Sequence, residues 1–479
     1  MKFYNLIAGE KISNSDWFER RNPANTDEVV AEFPKADAKT TNQAIEAASD
    51  AFSNWAATPA PTRGDILFRA AELIEQRADA LAETMTREEG KTLAESRGEV
   101  IRSRDIIRYF AAEGRRMSGE TLPSDRKDSM LFTRREPLGV VGIITPWNFP
   151  MAIPAWKLAP ALVAGCTVVF KPASLVPLMG LRLVEIFHEA GLPKGVLNFV
   201  VGSGATVGDA IVTNPKVKGI SFTGSHAVGH EIHQKAAPEM TRTQLEMGGK
   251  NPLIVLNDGD INLAVNMAIS AGFGLTGQAC TAASRVIVQR GVLDEFTEKF
   301  AAKARAIAVG NGVKGATMGP AVDASQFKTD LDYIEIGKQE GAQLILGGTQ
   351  VKSDTPGHFI APTIFSQVRA DMRIAQEEIF GPVVSIIPVD TLEEAVNIAN
   401  GIEYGLSASV ITNNLRSAFY FIENIQAGVV KINQGTTGLQ VQIPFGGFKK
   451  SSTNTFREQG KLAIDFYSRL KSVYLDYPS

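Results

Sequence analysis

Residues 137–150 read PLGVVGIITPWNFP, a short run of β-branched residues that stops at threonine, proline, tryptophan and asparagine. Similar runs follow, each ending in Gly, Pro or Ser: GCTVVFKPAS (165–174), GVLNFVVGSG (195–204) and VKGISFTGS (217–225). Helical stretches such as LMGLRLVEIFHEAGLP (178–193) separate them. Strands that alternate with helices predict a parallel sheet covered by helices. Because ligands of such sheets bind beyond the carboxyl ends of the strands, functional residues are expected there.

Three further regions surround this series. From about residue 37 to 115, apolar residues recur at three- and four-residue spacing, which indicates amphipathic helices. From about residue 250 a second series alternates with helices and predicts a second α/β domain; its runs are NPLIVLND, SRVIVQR, AQLILGG, GPVVSIIPVD, SASVITNN and AGVVKIN. Two leftover segments look extended, DSMLFTRREP (128–137) and SRLKSVYLDYPS (468–479). Short remote strands of this kind often add to a sheet of a partner subunit.

The composition excludes several classes of protein. A net charge of −3 with mixed signs over 479 residues gives no indication of a nucleic-acid or anionic-membrane partner. No apolar run approaches the roughly 20 residues of a membrane helix, and MKFYNLIAGEK at the start is too short for a signal peptide. Two cysteines cannot form a disulfide framework, and no zinc-type Cys/His spacing occurs, so no metal is expected. We therefore expect a cytoplasmic protein.

Two glycine-rich turns compete as the binding site of a dinucleotide pyrophosphate. VVGSGATVG (200–208) is similar to the G-x-G-x-x-G fingerprint, but its spacing is loose and no acidic residue follows about 20 positions later. FTGSHAVG (222–229) follows a strand, puts Gly224 and Ser225 at the turn and enters a helix. The N-terminus of that helix would offer free N–H groups to an anion. The residues alone leave the two turns nearly even.

The segment TGQACTAASR (276–285) holds Cys280 among small residues that would let a substrate carbonyl come close. Local sequence leaves a nucleophile and an inert thiol equally open. A nucleophilic thiol must be ionised or lie beside a base. None of the five histidines has the small neighbours typical of an active-site loop, so a Cys–His pair has no support. Cys166, between a helix and an apolar strand, is expected to be an inert buried thiol.

The segment LEMGGKNP (245–252) offers a carboxylate as the base instead. Glu246 stands between apolar residues, just before two glycines. A carboxylate in apolar surroundings has a raised pKa and can act as a general base near neutral pH. An ordinary surface glutamate is the alternative, but such a residue rarely sits in Leu-Glu-Met-Gly-Gly.

Seven motifs occur in the order and at the intervals of the aldehyde dehydrogenase superfamily: PWNFP (146–150), FKPAS (170–174), SFTGS (221–225), LEMGGKNP (245–252), GQACTA (277–282), EEIFGP (377–382) and PFGG (444–447). The chain is therefore identified as a member of that family. The resemblance runs from NPAN (22–25) to the terminal strand. It implies an aldehyde dehydrogenase-like α/β fold with two Rossmann-like domains and a β-arm for oligomerisation.

The resemblance also implies boundaries and an assembly. An NAD(P)-binding domain is expected to comprise residues 1–117 and 137–248, and a catalytic domain residues 249–450. The oligomerisation arm is expected to comprise residues 118–136 and 451–479. Since the family forms dimers and tetramers through such arms, we expect a homodimer or a homotetramer.

Three catalytic residues carry over with the motifs. Cys280 is expected to attack the aldehyde carbon, and Asn148, with the backbone N–H of Cys280, to form the oxyanion hole. Glu246 is expected to activate the water that hydrolyses the resulting thioester. A CoA-acylating relative would typically lack this glutamate, and a catalytically dead member would have lost one of the three residues. A plain cysteine hydrolase would make no use of the cofactor motifs, so all three alternatives are disfavoured.

For the cofactor, the resemblance implies NAD or NADP, with the pyrophosphate at the FTGS turn. Glu378 is expected to hold the nicotinamide ribose, with Phe380 beside it, and Lys171 the adenosine ribose. The full expected set is Thr145, Pro146, Trp147, Asn148, Lys171, Pro172, Ala173, Ser174, Gly204, Phe222, Thr223, Gly224, Ser225, Val228, Glu246, Met247, Glu378 and Phe380. Many NAD-preferring relatives have glutamate where Ser174 stands. Because a neutral serine can donate to a 2′-phosphate, NADP is expected to be accepted alongside NAD.

For the substrate, the resemblance puts Arg102, on the helix EVIRSRDIIRYFAAEG (99–114), at the mouth of a tunnel. Phe149, Trp156 and Phe445 are expected on its walls. Arginine fits a substrate carboxylate through bidentate pairing, although a solvated arginine on this basic helix is an equally open interpretation. Overall likeness is greatest to family members that oxidise α-ketoglutaric semialdehyde (2,5-dioxopentanoate) to 2-oxoglutarate. Succinate semialdehyde, or a broad range of aldehydes, is the alternative.

Overall fold

Strands and helices alternate along most of the chain in the structure, a computed structural model that describes residues 1–477. In chain order the strands are β1 (Asn5–Ile7), β2 (Glu10–Ile12), β3 (Trp17–Asn22), β4 (Asn25–Pro34), β5 (Thr121–Leu122), β6 (Ser129–Pro137), β7 (Val140–Ile144), β8 (Thr167–Lys171), β9 (Leu197–Phe199), β10 (Val217–Thr223), β11 (Arg242–Glu246), β12 (Pro252–Val255), β13 (Arg285–Gln289), β14 (Gln343–Leu346), β15 (Thr363–Ser366), β16 (Val383–Val389), β17 (Tyr404–Gly405), β18 (Ser407–Ile411), β19 (Val429–Ile432), β20 (Phe448–Lys449) and β21 (Ser468–Asp476).

The helices confirm the helical region predicted between residues 37 and 115, which holds the first four of them. They are α1 (Ala38–Ala57), α2 (Ala60–Gln76), α3 (Ala78–Glu89), α4 (Leu93–Glu113), α5 (Ala152–Ala164), α6 (Pro177–Glu189), α7 (Asp209–Val212), α8 (His226–Ala236), α9 (Ile261–Phe273), α10 (Leu293–Arg305), α11 (Ala324–Gln339), α12 (Arg373–Gln376), α13 (Leu392–Asn400), α14 (Leu415–Asn424) and α15 (Ala463–Tyr467). Thr92 and Glu95 form a capping box that fixes the start of α4. None of the helices within residues 1–477 is both long and apolar enough to cross a membrane.

The first sheet contains the β-branched runs found between residues 137 and 225. Its strand order is β11-β10-β7-β8-β9-β1-β2, and β7 to β11 are parallel. Every residue of β7 and β8 is buried, because helices cover both faces of the sheet. The antiparallel strands β1 and β2 extend the edge beyond β9, and the sequence analysis did not predict them.

The second sheet confirms the second predicted α/β series. Its order is β14-β15-β16-β13-β12-β18-β19, with β14 antiparallel to its neighbour and the other pairs parallel. The short strand β15 was not predicted, because its four residues follow a proline and resemble a loop.

The third sheet brings the two leftover extended segments together. β6 and β21 pair antiparallel along their full length, and β5 pairs with the other side of β6. Leu470 and Tyr474 on β21 are largely exposed. The preceding helix α15 instead packs in the core of the first sheet. Pro478 and Ser479, which end the predicted arm, lie outside the described residues, and the division into three domains stays a prediction.

The loops that carry the predicted site follow the carboxyl ends of neighbouring strands in the first sheet. β10, β7 and β8 are parallel neighbours, so their carboxyl ends lie side by side. The segments that follow them begin at Gly224, Thr145 and Pro172. This is the edge where an open α/β sheet binds ligands.

Candidate active site

A turn of unusual backbone conformation precedes Cys280. Leu275 and Thr276 have φ angles of 55° and 58°, in the left-handed region that residues with side chains rarely occupy, and Gly277 follows at 69°. The Leu275 N–H donates to Glu95 Oε1 at 2.6 Å, and Thr276 Oγ1 donates to the Gly319 carbonyl at 3.1 Å. Strained backbone that persists under such restraint is common at functional sites.

Side-chain amides hold the backbone on both sides of Cys280. Asn148 Nδ2 donates to the Gln278 carbonyl at 3.0 Å. Asn251 Nδ2 donates to the carbonyls of Cys280 and Ala282 at 2.8 and 2.9 Å. The thiol is therefore carried by a loop whose position is fixed before any ligand binds.

Two cavities meet at Cys280. The first, here called the Trp147 cavity, has a volume of about 230 Å³ and is lined by Pro146, Trp147, Asn148, Thr223, Gly224, Ser225, Met247, Gly248, Cys280, Gln326, Glu378 and Phe380. The second, the Arg102 cavity, has about 320 Å³ and is lined by Glu95, Gly98, Glu99, Arg102, Phe149, Trp156, Ser270, Gly274, Leu275, Cys280, Thr281, Thr437, Gly438, Leu439 and Phe445. Among residues 1–477, Cys280 alone lines both.

The Arg102 cavity contains all four residues predicted to bind the substrate. Arg102, Phe149, Trp156 and Phe445 line it together with Cys280. The rings of Trp156 and Phe445 lie 6.1 Å apart, centroid to centroid. The cavity thus has aromatic walls, a cation and the candidate nucleophile.

The residues predicted to bind the cofactor fall into two groups. Half of them line the Trp147 cavity: Pro146, Trp147, Asn148, Thr223, Gly224, Ser225, Met247, Glu378 and Phe380. The others lie outside its lining: Thr145, Lys171, Pro172, Ala173, Ser174, Gly204, Phe222, Val228 and Glu246. Ser174 Oγ donates to the Gly202 carbonyl at 3.2 Å, so the segment after β8 lies against the rival glycine turn.

The turn after β10 is built to approach an anion closely. A Cβ atom at Gly224 would lie 2.4 Å from Cζ of Phe222, so a larger residue would collide there. Ser225 caps the N-terminus of α8, whose N–H groups point toward this edge. The buried hydroxyls of Thr145 and Thr223 have no hydrogen-bond partner within residues 1–477. These two hydroxyls and the N–H groups at the start of α8 are donors that fit a pyrophosphate.

Glu378 and its neighbours form the end of the Trp147 cavity. Glu378 Oε1 accepts a hydrogen bond from the Gly249 N–H at 2.8 Å, and burial raises the pKa of this carboxyl to about 7. Phe380 has a φ of 64° and packs edge-on against Trp147, with 5.3 Å between ring centroids. Gln326 lines the same cavity and was missed by the sequence analysis, since nothing in its helical surroundings distinguishes it from a surface residue.

Glu246 ends β11 beside the cavities and lines neither of them. Ser452 Oγ donates to its Oε1 at 3.0 Å, and the Gly447 N–H donates to its Oε2 at 3.2 Å. Burial and the nearby charge of Glu458 raise the pKa of Glu246 well above its usual value. The raised pKa agrees with the sequence-based expectation, whereas the orientation away from the cavity was not foreseen.

The two cysteines differ in surroundings. Burial and the carboxylates Glu378 and Glu246 raise the pKa of the Cys280 thiol to about 12. Without a ligand this thiol is protonated at neutral pH. Cys166 is buried, its Sγ donates to the Tyr467 carbonyl at 3.2 Å, and burial raises its pKa to about 11. Cys166 touches neither cavity, as expected for an inert thiol.

A buried lysine that no sequence motif indicated holds the Asn148 loop. Lys91 Nζ lies 2.6 Å from Glu99 Oε2, donates to the Asn148 carbonyl, and lies 4.7 Å from the centre of the Phe149 ring. Glu99 Oε1 accepts the N–H groups of Met151 and Ala152 at the start of α5. One ion pair therefore connects α4 to the loop that carries the predicted oxyanion donor.

Lys91→Met is expected to lower the free energy of unfolding by about 3–5 kcal/mol, because it leaves the Glu99 carboxylate buried without its cation. Urea denaturation monitored by tryptophan fluorescence measures the change. Arg97→Met, which removes an ion pair with Asp79 on the exposed side of the same helix, is the control and should cost at most about 1 kcal/mol. Equal losses in the two variants would contradict a structural role for the buried pair.

The chain belongs to the aldehyde dehydrogenase family, whose sequence pattern matches residues 11–473. It is 46% identical over 477 residues to the 2,5-dioxopentanoate dehydrogenase of Saccharolobus solfataricus, covering 99% of both chains. It is 45% identical over 478 residues to the alpha-ketoglutaric semialdehyde dehydrogenase of Bacillus subtilis, covering 99% of this chain and 98% of that one. The crystal structure of an NAD-dependent aldehyde dehydrogenase from Sinorhizobium meliloti superposes with a TM-score of 0.97 at 36% identity, covering 100% of this chain and 96% of that one. The predicted family, its α/β fold and an oxidoreductase activity on aldehydes are confirmed.

Proposed function

We propose that this protein oxidises α-ketoglutaric semialdehyde to 2-oxoglutarate with NAD or NADP, through a thioester on Cys280. The observation that carries the proposal is the position of Cys280 between the Trp147 and Arg102 cavities. A nucleophile there can face a dinucleotide on one side and an aldehyde on the other. The relatives at 45–46% identity carry the name of this aldehyde, which supports the choice of substrate.

The residues at the carboxyl edge of the first sheet suit an NAD(P) molecule, which supplies the acceptor for hydride when bound. Gly224 and Ser225 would take the pyrophosphate at the start of α8, and Glu378 the nicotinamide ribose. Lys171 and Ser174 would take the adenosine ribose. The Ser174 hydroxyl donates to Gly202 in the structure, so donation to a 2′-phosphate requires its hydrogen to turn away from that carbonyl.

Cys280 and Asn148 would carry the first step. The sulfur attacks the carbonyl carbon, and the carbonyl oxygen becomes negatively charged. Asn148 Nδ2 gives one hydrogen to Gln278 and has a second for this oxygen, with the Cys280 N–H as the other donor. One such donor lowers the activation free energy by about 3–4 kcal/mol. Because the pKa of Cys280 is about 12, attack requires a base or a positive charge near the sulfur.

Glu246 would carry the second step, in which water hydrolyses the thioester that remains once the tetrahedral carbon has given up its hydride. Its raised pKa gives it the basicity to take a proton from water. Since the carboxylate is held by Ser452 and Gly447, it must turn from them toward the cavity during turnover. Two hydrogen bonds from neutral donors restrain the carboxylate, and such a rotation has to break both of them.

Arg102 favours an aldehyde that carries a carboxylate. Its guanidinium lines the substrate cavity and donates to the Leu439 carbonyl and to Gln459 Oε1, both neutral acceptors. This environment supports a binding role over a solvated helix arginine. The domain division given above, a homodimer or homotetramer formed through the arm sheet, and a cytoplasmic location complete the proposal.

A panel of aldehydes tested with both cofactors examines the proposal. The expected order of kcat/KM is α-ketoglutaric semialdehyde, then succinate semialdehyde, then betaine aldehyde and benzaldehyde. Activity with NADP is expected to be at least about a hundredth of that with NAD. The product should be the free acid whether or not CoA is added. A highest kcat/KM for betaine aldehyde or benzaldehyde would overturn the substrate assignment.

A further inference from the structure

Two half-buried cations hold one short wall of the Arg102 cavity. Lys431 Nζ donates to the carbonyls of Thr437 and Gly438, and Arg102 Nη1 donates to the carbonyl of Leu439. Thr437, Gly438 and Leu439 all line the cavity. The lysine and the arginine therefore bring two positive charges to the same end of it.

Within residues 1–477, neither charge is matched by a carboxylate in direct contact. Every acceptor that the two side chains reach through the hydrogen bonds above is a neutral oxygen. Burial and the repulsion of Arg102 lower the pKa of Lys431 to about 8. Two like charges in a partly desolvated wall oppose each other, and an anion bound between them would relieve that cost.

Two glutamates line the same cavity, but their own partners occupy them. Glu95 accepts the N–H groups of Thr92 and Leu275. Glu99 pairs with Lys91 and accepts two N–H groups at the start of α5. Neither carboxylate accepts a hydrogen bond from Lys431, whose acceptors within the described residues are the Thr437 and Gly438 carbonyls.

Gln459 contacts Arg102 from outside the lining of the cavity, as Lys431 contacts the 437–439 wall. Its side chain is fully buried, and its Oε1 accepts from Arg102 Nη2 at 3.2 Å. Its Nε2 is buried and has no hydrogen-bond partner within the described residues. A buried amide donor without an acceptor is costly, so such groups often mark the position of an absent ligand or water.

We infer that Lys431 and Gln459 complete a subsite in which Arg102 binds the carboxylate of an aldehyde acid. Both lie outside the lining of the cavity and are positioning residues: Gln459 orients Arg102, and Lys431 holds the 437–439 wall and adds its charge. The inference rests on the proposed function and names the residues that select within its substrate class. It predicts that removal of the lysine charge weakens the preference for acidic aldehydes.

The test compares 5-oxopentanoate with pentanal, two five-carbon aldehydes that differ in the carboxylate. The measured quantity is the ratio of their kcat/KM values. Lys431→Gln keeps donors for the two carbonyls and removes the charge, and the ratio is expected to fall about tenfold. Lys431→Arg keeps the charge and should keep the ratio, while Gln459→Met should lower it. Lys449→Gln is the matched control, because Lys449 Nζ also donates to two backbone carbonyls, those of Asn400 and Ile402, outside the cavity.

The outcomes separate this inference from the proposed function. A wild-type enzyme that prefers pentanal contradicts the proposed class of substrate. A wild-type preference for 5-oxopentanoate that survives unchanged in Lys431→Gln overturns the subsite and leaves the proposed function standing. Equal losses on both aldehydes in Lys431→Gln would show that the lysine merely supports the wall, which also overturns it. Rising salt should raise the KM for 5-oxopentanoate more steeply in the wild type than in Lys431→Gln.

Discussion

Cys280→Ser is expected to lower aldehyde oxidation by about 10³-fold or more while nucleotide still binds. Serine keeps the size of the side chain, but its hydroxyl is a far weaker nucleophile than a thiolate and has no adjacent base placed to activate it. The Trp147 cavity keeps all its other lining residues in this variant, so its affinity should persist. Steady-state formation of reduced cofactor measures the first effect, and quenching of tryptophan fluorescence on titration with NAD and NADP measures the second.

Cys166→Ser is the control for loss of a thiol. Cys166 is buried at the end of α5 and contacts the Tyr467 carbonyl, away from both cavities. This variant should keep its activity, apart from any loss through stability. Undiminished oxidation by Cys280→Ser would remove the nucleophile from the proposal and the thioester with it.

Glu246→Gln is expected to slow hydrolysis of the thioester by about 10²–10⁴-fold, because the amide cannot accept a proton from water. The first turnover should survive, so rapid mixing with aldehyde should give a burst of reduced cofactor close to the concentration of sites. Slow steady-state turnover should follow. Hydroxylamine, which attacks thioesters without a general base, should restore turnover. A variant with neither a burst nor rescue would place Glu246 in the first step instead.

The pH dependence of kcat should change in the same variant. In the wild type Glu246 must be ionised to act, and burial and Glu458 raise its pKa well above the usual value. Activity should therefore fall as the pH is lowered through that raised pKa, well before an ordinary glutamate would titrate. Glu246→Gln should lose this acid limb. Glu88→Gln is the matched control, since Glu88 is also buried with a pKa raised to about 7, but it binds the N–H groups of Leu178 and Met179 at α6.

Local patterns predicted the parallel core, because it is written in consecutive residues, whereas Cys280 became the candidate nucleophile only through a family motif. β7 and β8 are buried on both faces and therefore read as unbroken apolar runs. Cys280 stands among small residues, in a segment that matches a family motif. The roles of the site residues, by contrast, stay predictions that the variants above are designed to examine.

Residues that act through distant partners left no such pattern. Lys431 donates to carbonyls six and seven residues away, and Gln459 meets Arg102 across 357 positions of the chain. Lys91 lies in a charged stretch where a solvated lysine is the ordinary expectation. The left-handed backbone at Leu275 and Thr276 also has no signature, since neither residue type favours that conformation. Such features depend on tertiary packing and emerge only from coordinates.

Cys280 lines both cavities, so a modification of this one residue affects both of them. In the proposed function the aldehyde and the nucleotide occupy different cavities, so both can be bound at the same time. An electrophile that alkylates the Cys280 thiol is therefore expected to obstruct both the Trp147 cavity and the Arg102 cavity. Inactivation by a small haloamide should therefore slow when a ligand fills either cavity alone.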